Sequence, residues 1–134
     1  MSEQCNQTPD MTPGIISWNE LVSRDAGGSK KFYSQLFGWD VETMSMGPGA
    51  EYTMMKVGGR PAAGLITMPP EAGDAPTMWM SYVTVADLPA AVAKAKSLGA
   101  KVCKDITALP MGRFAIIKDP QGAGIGLWEF TKQS

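Results

Sequence analysis

Residues 51–65 read EYTMMKVGGRPAAGL, and residues 113–127 read RFAIIKDPQGAGIGL. Laid over each other at a shift of 62, Tyr52 falls on Phe114, Lys56 on Lys118 and Gly64-Leu65 on Gly126-Leu127. The same shift, carried outward, puts Asp25 on Asp87 and Leu36 on Leu98 without a gap. A long fixed period marks a duplicated structural unit. Each copy is too short to bury a good core alone, so the two are expected to pack together. Pockets favour the seams between such units, which makes a groove between the copies the expected ligand site.

Composition limits the chemistry. The 134 residues, 44% of them hydrophobic, suit one globular domain. Twelve basic and thirteen acidic residues leave a net charge of −1, with no basic cluster, so nucleic acid is not an expected partner. No apolar run approaches the roughly 18 residues of a membrane span. The start is polar (Ser2, Glu3, Gln4, Asn6, Gln7, Asp10) and lacks the parts of a signal peptide. Residues 1–13 are read as a flexible tail, and the protein as cytoplasmic. Histidine is absent, which removes the commonest metal ligand and general base. Cys5 and Cys103 make no disulfide framework. Cys103, flanked by Lys101 and Lys104, reads first as an ordinary strand cysteine.

Within each copy the elements follow from punctuation. Residues 14–23 are rich in β-branched and aromatic types and predict a strand. Ser29 or Asp25 caps a helix over 30–37, with Phe32, Tyr33, Leu36 and Phe37 on one face and Gly38 as its stop. Strands are predicted at 40–46, 51–57 and 62–68, with turns at Gly47-Pro48-Gly49 and Gly58-Gly59-Arg60-Pro61. After a linker at 69–76, the order returns. A strand covers 77–85, and Asp87 caps a helix through Leu98 with Leu88, Val92 and Ala95 on its apolar face. Strands follow at 101–108, 113–118 and 124–130. The fold class is α+β: two βαβββ units, 14–68 and 77–130, in one domain.

Two strings carry a family resemblance. FYSQLFGW, residues 32–39, resembles the first-helix signature of the glyoxalase/bleomycin resistance protein/dioxygenase superfamily, also called vicinal oxygen chelate. DPQGAGIGLWEF, residues 119–130, resembles its final turn and strand. The resemblance implies a glyoxalase-like fold, a curved eight-stranded mixed sheet around a cavity. By the family's spacing, the metal-ligand positions fall on Trp18, Gly64, Met80 and Gly126. None suits a hard or borderline divalent ion, which wants imidazole, carboxylate or thiolate. The chain therefore resembles the metal-lacking members, and neither a metal nor a cofactor is expected. Family members often pair, so a homodimer is the expected assembly.

Strand alternation then assigns the lining. If the four matched positions point inward, so do Ile16, Glu20, Ala62, Ile66, Met78, Tyr82 and Trp128. The expected ligand-binding set is Trp18, Met78, Met80, Tyr82 and Trp128, an aromatic and methionine-rich wall suited to a flat or apolar ligand. Filling of a collapsed core is the alternative fate of the same side chains. Arg113 is added as an anion-binding group at the rim. Glu20 is the inward carboxylate and the candidate catalytic acid/base. Desolvation is expected to raise it above its ordinary value of about 4.3. Two functions stay open: a metal-independent small-molecule-binding protein, or a metal-free lyase or isomerase using Glu20. A module with a filled cavity is a third.

Overall fold

The computed structural model describes residues 12–45 and 51–131. The tail residues 1–11 with Cys5, the turn Gly47-Pro48-Gly49 and the expected strand end at Met46 lie outside the described residues. The chain divides into two compact units. One holds residues 19–79; the other holds residues 80–131 together with residues 12–18. The boundary differs from that of the sequence repeat. Residues 12–18 belong with the second unit because they are hydrogen-bonded there: Gly14 N donates to Thr84 O at 2.8 Å and Thr84 N to Ile15 O at 2.9 Å. The Thr84 hydroxyl also donates to Ser17 Oγ at 2.7 Å.

The first unit contains most of β1 (Ile16–Ser23), then α1 (Ala26–Phe37), β2 (Asp40–Ser45), β3 (Glu51–Val57) and β4 (Arg60–Thr67). Its strands lie in the order β2-β3-β4-β1. β1 and β4 run parallel, with Glu20 opposite Gly64, while the other pairs are antiparallel. α1 begins four residues before the expected 30, because Asp25 is the cap: its Oδ1 accepts from Gly28 N at 3.0 Å. A Cβ on Gly28 would lie 2.6 Å from that carboxylate, so glycine is what lets the cap close. Ser29, the other candidate cap, instead bonds the buried Ser23 hydroxyl at 2.8 Å. β4 begins at Arg60 because Gly58 and Gly59, at φ 56° and 83°, make the turn by themselves. Leu21, Met55, Ala63 and Leu65 form this unit's core, with Ala26, Tyr33 and Trp39 packed on it. The expected apolar face of α1 is only partly used: none of its residues is buried.

In the expected linker, Pro70–Ala72 form a short 3-10 turn. Arg24 ties this segment down: Nε donates to Ala75 O at 2.7 Å and Nη2 to Gly73 O.

The second unit contains β5 (Met78–Thr84, from Met80 on), α2 (Leu88–Ser97), β6 (Lys101–Leu109), β7 (Gly112–Lys118) and β8 (Gly124–Phe130). Its order, β5-β8-β7-β6, has the same pattern as the first unit, with β5 parallel to β8. Asp87 caps α2 through Ala90 N at 3.1 Å. Leu88 and Val92 are buried against Ala115, Ile117 and Leu127. The fold is therefore α+β with eight strands in mixed pairing and two helices. No helix among the described residues is long and apolar enough to cross a membrane.

Candidate functional site: an aromatic sheet face

In the second unit one sheet face is spent on α2, and the other carries the rings. Leu127 lies in the helix-side core, so alternation along β8 puts Gly126, Trp128 and Phe130 on the opposite face. Register extends that face across three strands. Tyr82 pairs with Gly126, Thr84 with Trp128, and Phe114 of β7 with Trp128. Tyr82 is 5% exposed and meets Phe114 edge-on at 6.2 Å. Trp128 meets Phe130 edge-on at 5.5 Å. Such geometry suits the ring quadrupoles.

Two glycines let the rings lie flat. A Cβ on Gly126 would stand 2.3 Å from Cδ2 and Cε2 of Tyr82, so the Tyr82 ring occupies that space. A Cβ on Gly112 would stand 2.6 Å from the Trp128 ring and 2.5 Å from Glu129 O. The room that Gly126 leaves is filled by Tyr82. Met80, 7% exposed, reaches along the same face, its methyl 3.7 Å from where a Gly124 Cβ would be.

The structure thus brings together Met80, Tyr82 and Trp128 from the expected lining. It adds Phe114 and Phe130, which the sequence reading missed. Phe130 was findable by alternation from Trp128, whereas Phe114 needed the β7–β8 register. Trp18 is half-buried in the same unit. Glu20 and Met78 belong to the first unit. Glu20 is 7% exposed, on the sheet face opposite the core residue Leu21. Met78 is half-buried.

Arg113 is engaged by a carboxylate of its own unit. It is the direct partner of Glu129 across β7 and β8, and its Nη2 lies 3.1 Å from Glu129 Oε1. Both follow or precede ring-face residues by one position, so they sit on the helix side. There Glu129 Oε1 also accepts from Leu88 N at 2.7 Å, at the first turn of α2. Arg113 thus braces the carboxylate that holds the start of α2. The Leu88 N–H holds the Glu129 carboxyl below its usual 4.5, against burial, with Arg113 helping and the Asp87 charge opposing. A depressed folded value means the charged form stabilises the fold above the unfolded value, and this contribution disappears as pH falls through the folded one. Glu129→Gln is accordingly expected to flatten the loss of thermal stability between about pH 5 and pH 3, read by scanning calorimetry across that range.

The surface carries two depressions. One, of about 340 Å³, is bordered by Arg24, Ser29, Phe32 and Thr77; the other, of about 280 Å³, by Leu109, Arg113, Glu129 and Phe130. Among the described residues no three His, Cys, Asp or Glu side chains cluster so as to hold a metal ion. The four positions matched to ligands carry Trp18, Gly64, Met80 and Gly126, a donor set that does not fit a divalent ion.

Residues 15–127 match the family model of the Glyoxalase/Bleomycin resistance protein/Dioxygenase superfamily. The chain belongs to this superfamily. It is 35% identical over 122 residues to CFP32 of Mycobacterium tuberculosis, provisionally named a glyoxylase; the match covers 89% of this chain and 47% of CFP32. It is 28% identical over 129 residues to the anthracycline biosynthesis protein DnrV of Streptomyces peucetius, covering 87% of this chain and 47% of DnrV. The chain thus spans about half the length of the curated relatives it matches. Methylmalonyl-CoA epimerase of Streptomyces coelicolor has the same fold, with a TM-score of 0.62 at 18% identity over 90% of this chain and all of the other.

Proposed function

We propose that this superfamily member is a metal-independent small-molecule-binding protein whose ligand is flat and largely apolar. The observation that carries this reading is the ring face of Tyr82, Phe114, Trp128 and Phe130, opposite α2 in the second unit. Aromatic faces recognise flat ligands by stacking and area burial. The absence of histidine and the non-ligating residues at the four matched positions support binding without a metal. The name of DnrV, an anthracycline biosynthesis protein, fits an aromatic ligand class.

The test is a thermal-shift screen of planar aromatic compounds, with and without chelator, followed by titration of tryptophan fluorescence. A ligand that binds the native state raises the apparent melting temperature by mass action. Trp128→Ala is expected to weaken a hit at least tenfold, about 1.4 kcal/mol, while chelator changes nothing. Binding that needs an added divalent ion, or that survives Trp128→Ala unchanged, would sink the proposal.

The second reading is a metal-free lyase or isomerase. It is favoured by one observation, the burial of a carboxylate at Glu20. A buried carboxyl can be tuned for proton transfer. Turnover of the hit that is abolished in Glu20→Gln with binding retained would select the enzyme; binding with no turnover in either form selects the binder.

A further inference from the structure

The ring face of the second unit has a charged end. Trp128 of β8 pairs with Phe114 of β7. Two residues back along β8, Gly126 pairs with Ile116, and Ile116 with Lys104 of β6. Two further back, Gly124 pairs with Lys118, and Lys118 with Lys101. Directly opposed residues share one side of a sheet, so all three lysines take the face of the rings. Lys101 and Lys118 are exposed, and Lys104 is half-buried. The glycine in their row differs from the other two on this face. Rings fill the room at Gly126 and Gly112, whereas a Cβ on Gly124 would make only ordinary contact, with the Met80 methyl at 3.7 Å. The aromatic wall is therefore open beside the lysines. We propose, on the reading of this face as a ligand surface, that its ligand is a flat aromatic anion, with its rings against Trp128 and its charged group over Gly124 beside Lys101 and Lys118.

Charge and spacing favour that class. Like charges directly opposite on paired strands repel, so Lys101 against Lys118 is a cost built into the sheet. An anion between them offsets it. The nearby carboxylates do not serve. Asp119 Oδ1 accepts from Gln121 N at 2.8 Å and from Ala123 N at 3.0 Å, within its own turn. Asp105 lies between Lys104 and Thr107, where the register of β6 with β7 shifts. Among the described residues neither Lys101 nor Lys118 forms an ion pair. Spacing then sets the ligand's length. At about 3.3 Å per residue, the Gly124 row lies roughly 13 Å along β8 from Trp128. A lysine side chain leaning along the face spans part of that distance, and a fused-ring ligand spans the rest. A small acid without rings would reach the lysines and miss the tryptophan. A neutral polycycle would leave the lysine repulsion in place.

Calorimetric titration of the full chain with 2-naphthoate and with 2-naphthamide reads the result, since the two share a ring system and differ in charge. At low salt 2-naphthoate is expected to bind roughly fivefold tighter, the scale of an exposed ion pair. The preference should vanish in about 0.5 M potassium chloride, where charges are screened within a few ångströms. Lys101→Gln with Lys118→Gln should abolish it at low salt. Lys94→Gln with Lys96→Gln, on the outward side of α2, should leave it intact. Trp128→Ala should weaken both compounds. A parallel titration with 2-naphthyl phosphate separates a phosphate ester from a carboxylate as the source of the charge, and a preference for either over the amide supports the proposal. Equal binding of all three, each weakened by Trp128→Ala, overturns it and leaves the aromatic reading standing. A preference that persists in the Lys101 and Lys118 double variant also overturns it, because another cation would then hold the charge. If none of the three binds, the proposal fails, and the screen of planar compounds decides separately whether the aromatic reading stands.

Discussion

A methyl group added at Gly126 should destabilise the protein by about 1–3 kcal/mol, the range for overpacking a well-filled site. The new Cβ would be 2.3 Å from two atoms of the Tyr82 ring, far inside contact distance. The ring has nowhere cheap to go: it is 5% exposed and held edge-on by Phe114. Either the ring leaves its rotamer or β5 and β8 move apart, and the parallel pairing of Tyr82 with Gly126 makes the second costly. The diagnostic is a double-mutant cycle by urea unfolding. Tyr82→Ala alone should cost about 3–5 kcal/mol as a large ring removed from a buried place. In that background Gly126→Ala should cost under about 0.5 kcal/mol, because its clash is gone. Additive costs would show that the ring does not lie over Gly126. The same cycle reports on the proposed ligand face, since a displaced Tyr82 alters the wall next to Trp128.

Leu88→Ala should destabilise the protein by about 2–5 kcal/mol. Leu88 is fully buried and is the first residue of α2. It packs against Val92, Ala115, Ile117 and Leu127, so its removal opens a cavity where helix and sheet meet. Its backbone is held as firmly as its side chain, through Leu88 N to Glu129 Oε1 at 2.7 Å. In a protein of this size a loss of this order lowers the melting temperature by roughly 4 °C or more per kcal/mol. Leu36→Ala, 62 positions before Leu98 and 58% exposed, should change stability by less than about 0.5 kcal/mol. Equal costs at Leu36 and Leu88 would contradict an exposed Leu36 on α1 and a buried Leu88 at the start of α2.

Much of this architecture was legible because it is local or repeated. The 62-residue shift announced two copies, and glycine, proline and aspartate marked where each element begins and stops. Asp87 is the cap in both readings and Asp25 was one of two candidates, since a cap depends only on the three residues beyond it. α2 was found within a residue at its start. β8, at Gly124–Phe130, was placed to the residue. Alternation along single strands also set Met80, Tyr82 and Trp128 on a common parity, which the pairing of β5 with β8 then joins into one face.

Contacts between distant segments were not legible. The sequence alone determined the two βαβββ copies, their element order and the lack of metal-binding side chains at the family's ligand positions. Tertiary structure decided that Tyr82 fills the space over Gly126, that Phe114 joins the ring face and that Arg113 pairs with Glu129. It also decided that Gly14 and Ile15 are bonded to Thr84, and that Phe32, Leu36 and Phe37 of α1 stay exposed. The physical reason is range. Periodicity and capping are properties of neighbours along the chain, whereas Glu129 meets Leu88 across 41 residues and Ser17 meets Thr84 across 67. Alternation says which face a side chain takes; only the packed fold says what already occupies that face.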